Sequence, residues 1–102
     1  MKQRKIKFVC NAVRWFDKIN GNTYHSVRIT RMKDDKVLNS SSMCYGYGSS
    51  YEQTALKLMS KNKWLPVKYR KDNSWLYERE NNYPIIWNVA DGLKRDMINN
   101  VS

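Results

Sequence analysis

His25 is the only histidine in the chain, and Cys10 and Cys44 are its only cysteines. General-base and triad chemistry near neutral pH uses an imidazole beside a nucleophile. A tetrahedral zinc site draws on several His or Cys ligands at short spacing. One histidine and two cysteines distant in sequence satisfy neither pattern. His25 therefore reads as a structural residue, satisfied or exposed, and the two thiols as reduced, buried groups of a cytosolic protein rather than a disulfide. Asp34-Asp35 reads as a solvated turn. Glu78 and Glu80 share a face if they alternate on a strand, but no acidic partner stands at the spacing a metal-dependent nuclease needs. Gly46 and Gly48 lack both the Walker lysine and the dinucleotide glycine spacing. The expectation is a non-enzyme with no metal and no cofactor, a metal-dependent nuclease being the one enzymatic version worth assaying.

Cations are what the chain has in excess. Nineteen Lys and Arg against nine Asp and Glu give a formal charge of +10 and a pI near 9.8. Such a balance favours polyanions or an acidic protein surface as partners. The charge is uneven: residues 1–36 carry +7 and residues 57–71 carry +6, whereas residues 37–56 carry −1 and residues 72–102 carry −2. In the first block Lys5, Lys7, Arg14, Arg28 and Arg31 would form a cationic platform if the strands that bear them expose them together. Tyr24 would add a flat ring for a base or sugar. In the second block Lys57, Lys61, Lys63, Lys68 and Arg70 are the candidate contacts. The ordinary uses of such residues are edge protection on a sheet and complementing a helix dipole.

The elements that must position them begin with residues 5–16, where Ile6, Phe8 and Cys10 alternate with Lys5, Lys7 and Val9 as in a half-buried strand. The phase becomes ambiguous at Ala12-Val13, which suggests a bulge. Asn20-Gly21 signals a type I′ hairpin turn. Residues 23–32 form the return strand, with His25, Val27 and Ile29 on one face and Tyr24, Ser26, Arg28 and Thr30 on the other. Residues 37–47 make a weaker third strand. Ser49 and Ser50, followed by Glu52 and Gln53, predict a capping box. Tyr51, Ala55, Leu58 and Met59 give the ensuing helix one apolar face. Pro66 breaks the chain, and 67–70 with 75–80 read as a second hairpin. Ile85 to Val89 is a short apolar strand or buried extended segment, and Asp91 caps a last helix that runs through Ile98. Phe8, Trp15 or Phe16, Tyr51, Trp64, Trp75 and Trp87 are the expected aromatic core. The fold class is α+β: a three-stranded antiparallel meander, a packing helix across one face, then a short hairpin or strands and a C-terminal helix.

A chain of 102 residues suits a single domain with one modest core. No apolar run approaches the ~20 residues of a membrane span. The N-terminal segment lacks the unbroken apolar stretch and cleavage site of a signal peptide. A cytoplasmic protein with no membrane partner is expected, its oligomeric state open.

The order strand-strand-strand-helix, with GYGSS entering the helix, resembles the C-terminal part of double-stranded-RNA-binding domains. Those carry a lysine cluster where Tyr51, Glu52 and Gln53 stand here. The same order is similar to three-strand-plus-helix DNA readers, a comparison compatible with Arg14, Arg28 and Tyr24. Tyr47-Gly48-Ser49-Ser50 looks like the second motif of GIY-YIG nucleases, but the upstream strand motif and the helix arginine of that family are missing. The segments RWFDKINGNTYHSVRI (14–29), YGYGSSYEQTAL (45–56) and DGLKRDM (91–97) resemble small uncharacterised bacteriophage and prophage proteins. That resemblance implies an accessory protein in the host cytoplasm. Two functions from different classes follow: nucleic-acid binding through a basic sheet face, or binding and modulating an acidic host protein.

Overall fold

The computed structural model describes residues 5–46, 48–70 and 73–102. Strands β1 (Phe8–Asp17) and β2 (Asn22–Arg31) pair antiparallel without interruption from Phe8 opposite Arg31 to Asp17 opposite Asn22. The expected bulge at Ala12-Val13 is absent, because the ladder holds register through both residues. The connection is not a two-residue type I′ turn. Lys18 to Gly21 make a four-residue loop in which Gly21 has a φ of 69° while Asn20 keeps a negative φ. The Asp17 carboxylate holds that loop, accepting from the backbone N–H of Ile19 at 3.0 Å and the side chain of Asn20 at 2.8 Å.

The weak third strand is split. Strand β3 (Lys36–Asn39) and the two-residue β4 (Cys44–Tyr45) both pair antiparallel with β2, separated by the serine-rich segment that dilutes the pattern. Strand β5 (Ile85–Asp91) returns parallel to β1, so the sheet runs β3-β2-β1-β5. Among the described residues three short helices complete a mixed α+β domain. The hairpin expected at 67–80 does not form. Pro66 leads into a single 3-10 turn, Val67–Tyr69, and α2 covers Leu76–Glu80. Leu, Glu and Arg are good helix formers, and the helix buries Tyr77 edge-on against Tyr69 at 5.4 Å.

Helix α1 (Ser50–Lys61) covers the face bearing Phe8, Cys10, Ala12, Val27 and Ile29 with Ala55, Leu56 and Met59, all buried. Tyr51 and Leu58 pack at its margin. Ser49 is the N-cap by position, but its hydroxyl makes no capping bond, so a Ser49–Glu52 capping box does not form. The C-terminus is better satisfied. The Lys63 N–H donates to the Ser60 carbonyl at 3.1 Å and the Trp64 N–H to Met59 at 2.8 Å. These two bonds make a Schellman motif, which needs its first residue beyond the cap in the left-handed region. That residue is Lys63, with φ 61°.

His25 lies beneath α1, 1% exposed. Its Nδ1 is 3.3 Å from the Gly46 carbonyl, which only accepts, so Nδ1 carries the proton. The Thr54 hydroxyl then donates to Nε2 at 2.6 Å. Gly46 reaches this position with a φ of 146°, and a Cβ there would meet Ser50 Cβ at 2.7 Å. Burial lowers the imidazole pKa below its ordinary 6.5. The folded chain therefore holds His25 neutral where the unfolded chain takes up a proton, and stability is lost as pH falls below 6.5. Urea unfolding of wild type and His25→Gln across that range checks this, the variant losing the His25 part of the slope.

Helix α3 (Lys94–Asn99) crosses the opposite face of the sheet. It starts later than expected, with Asp96 accepting from the Leu93 N–H at 2.9 Å. Buried Ser26 donates to the Met97 carbonyl at 2.6 Å, and Asn100 donates to Asn11 and Ser26 oxygens at 3.1 to 3.3 Å. This polar knot satisfies groups that would be costly to bury unpaired.

Candidate nucleic-acid interface

The cationic platform does not form on the outer sheet face. Because β1 has no bulge, Arg14 keeps the phase of Phe8, Cys10 and Ala12 and sits on the α1 side. Its guanidinium forms a bidentate pair with Asp91, Nε to Oδ1 being 2.8 Å, and donates to the Gly48 carbonyl at 3.2 Å. Arg31 is on that side too. Tyr24 stands outside but is not a free ring: it stacks on Trp15 at 5.8 Å and meets Tyr45 edge-on at 5.8 Å, while Lys94 lies over Trp15 at 5.6 Å. Arg28 remains exposed on the outer face, opposite Asn11 and Asn39 in register, and α3 covers the sheet beside it.

The two basic blocks meet elsewhere, at the end of the sheet where β1 begins and β2 finishes. There the loop after α1 folds back and encloses a groove of about 610 Å³. Lys5, Lys7, Arg31, Lys33, Lys63 and Arg70 line it, and among the described residues no carboxylate does. Five of these come from the expected residues; Lys33 was hidden in a segment that reads only as a turn. Lys5, Lys7, Lys33 and Lys63 are exposed, and none is in an ion pair with a described residue.

The floor is built in layers. Phe8 stacks on Trp64 at 5.9 Å, and the Arg31 guanidinium lies 4.6 Å above that indole. Asp34 fixes Arg31 from the side through two bonds of 3.0 and 2.7 Å, which hold the Asp34 carboxyl down at about 2. Arg31 is thus a neutralised positioning group, and the lysines carry the unpaired charge. Arg70 has a similar part in the opposite wall, donating from Nε to the Leu65 carbonyl at 2.7 Å and so closing the 63–70 loop. Ser60 ties that loop to α1 by donating to the Tyr69 carbonyl at 3.2 Å.

Lys57 and Lys61 are exposed on α1 and line a second groove of about 560 Å³ with Arg70, Ser74 and Trp75. Lys68 points away, 3.8 Å from Glu80 and 4.9 Å from the Tyr69 ring. One aromatic expectation is corrected here: Trp75 is 62% exposed, while Phe8 is buried and Tyr51, Trp64 and Trp87 are half-buried, and of the alternatives Trp15 and Phe16 it is Trp15 that is half-buried.

The two glutamates expected on one strand face are separated. Glu78 and Glu80 lie on α2, not a strand, where two residues apart project to different sides. Glu78 accepts from the Trp87 indole N–H and Glu80 from the Tyr69 hydroxyl at 2.6 Å. Among the described residues no cluster of three His, Cys, Asp or Glu could hold a metal ion. Cys10 is a free, buried thiol whose pKa burial pushes up to about 12, and Cys44 is free and half-buried. No described helix is long and apolar enough to cross a membrane. No protein family, characterised protein or solved structure matches the chain.

A lysine in the left-handed region is a local cost at the lip of the groove. Lys63→Gly is expected to raise stability by about 0.5–1 kcal/mol. It should also weaken polyanion binding by roughly fivefold at about 0.1 M salt, one phosphate contact being lost. Urea midpoints and fluorescence anisotropy read the two effects in the same samples, and a gain in both would remove Lys63 from the contact surface.

Proposed function

We propose that the protein binds nucleic acid without catalysis, through the lysine-lined groove at the β1–β2 end of the sheet. The observation that carries this reading is the convergence of both basic blocks on one groove that no described carboxylate lines and whose floor is the stacked Phe8, Trp64 and Arg31. Phosphate neutralisation there supplies the affinity, and such contacts bring little sequence preference. The segments resembling bacteriophage proteins add the setting: an accessory factor acting on a polynucleotide in the host cytoplasm.

Labelled DNA and RNA, single-stranded and duplex, titrated against salt, test it. Affinity should fall by roughly 0.7 log units per log unit of salt for each single-strand phosphate contacted, and by about 0.9 for duplex. With three to five contacts the overall single-strand slope is about −2 to −3.5. Micromolar protein that leaves every probe free at low salt refutes the reading.

A second reading has its own observation at the opposite end of the sheet. Ile19, 93% exposed at the hairpin tip, lies with Phe16 and Leu93 around a cavity of about 1090 Å³. These apolar groups suit anchors for a host protein. Capture of one specific protein from nuclease-treated host lysate, lost in Ile19→Asp and kept when the groove lysines are replaced, would favour this reading.

A further inference from the structure

We propose that Trp75 is a stacking platform for an unpaired base, which makes single-stranded nucleic acid the ligand class. This inference rests on the nucleic-acid reading of the lysine groove and extends it around Arg70.

The four tryptophans are used differently. Trp15 stacks on Tyr24, Trp64 stacks on Phe8 with the Arg31 guanidinium over its ring, and Trp87 meets Tyr51 edge-on while donating to Glu78. Trp75 is 62% exposed, and among the described residues no ring or cation packs on it. A large apolar ring left open to water is informative when its surroundings suit one ligand. Here Lys57 and Lys61, one helical turn apart on α1, flank the same groove, and among the described residues no carboxylate lines it. Cations for a backbone beside a free indole face are the two components of a single-strand site.

Arg70 joins this groove to the first, because it lines both. A strand whose phosphates follow the lysines past Arg70 arrives beside Trp75, where a base can leave its neighbours and lie on the indole. A duplex cannot use this platform along its length, since its bases are stacked and paired. Discrimination therefore comes from Trp75 and affinity from the lysines.

The test compares a labelled oligothymidylate and an oligouridylate with a blunt hairpin duplex, using wild type, Trp75→Ala and Trp75→Phe. Wild type should prefer the single strands by at least fivefold, with quenching of tryptophan fluorescence on binding. Trp75→Ala should lose roughly fivefold to a hundredfold of single-strand affinity, leave duplex affinity unchanged, and unfold at the wild-type temperature. Trp75→Phe should recover most of the loss. Single-strand binding by Trp75→Ala equal to wild type, or wild-type affinity equal for duplex and single strand, overturns the platform while the lysine groove stands. No binding of any probe at low salt overturns both.

Discussion

Replacing Lys5, Lys7, Lys33 and Lys63 together by Gln is expected to weaken single-strand binding roughly 500-fold at about 0.1 M salt. Each single-strand phosphate contact contributes about 0.7 log units there, so four contribute just under three. The salt dependence should flatten by nearly three units at the same time. Stability should change little, because all four side chains are exposed and free of ion pairs with described residues. Relief of like-charge repulsion at that end of the sheet works in favour of the fold. Anisotropy titrations at several salt concentrations, with thermal unfolding alongside, measure both. An unchanged slope would mean that the phosphates are neutralised elsewhere. Arg14→Ala and Arg28→Ala serve as controls: Arg14 is spent on Asp91, and Arg28 stands on the α3 side of the sheet, so neither should move the slope.

The second large effect is on the fold. Met59→Ala should destabilise the domain by about 3 kcal/mol, within the range for emptying a buried methionine site. For a domain of this size that lowers the unfolding midpoint by more than ~10 °C. Met59 has no exposed surface and anchors the last turn of α1 onto the sheet. Its carbonyl also accepts the Trp64 N–H that closes the Schellman turn. The cavity therefore loosens the turn presenting Lys63, and oligonucleotide affinity should fall more steeply on warming than in wild type. A loss under about 1 kcal/mol in urea unfolding would show that α1 does not seal the sheet at that point.

Much of the architecture was legible in local pattern. Alternation in β1 and β2 and the apolar positions of α1 predict the elements that build the core, since each is long enough to show its period. Short elements were not legible. WLYERE alternates over too few residues to tell a strand from a helix, and the outcome is decided by Tyr69 and Tyr77 packing together. The parallel pairing of β5 with β1 joins residues 77 apart, as Phe8 with Ile85, and no local signal encodes it.

The site was legible as composition but not as geometry. Both basic blocks are visible in the charge count, yet their meeting point depends on how the 62–70 loop folds back. A bulge at Ala12-Val13 would have turned Arg14 outward. Its absence sends that arginine to Asp91, and a single register choice thus removes one expected contact. Lys33 had no signal beyond charge, because its neighbours Asp34 and Asp35 mask it. Trp75 reads from sequence as core like its three counterparts, and only its exposure separates it.

Amide chemical-shift mapping during titration with a short unstructured oligonucleotide tests the central claim most directly. Perturbations should concentrate on residues 5–8, 31–33 and 63–70, extend to Trp75, and leave the Lys18–Gly21 hairpin tip and Leu93 unmoved. Shifts centred on Phe16, Ile19 and Leu93, or a spectrum unchanged at low salt, would contradict it.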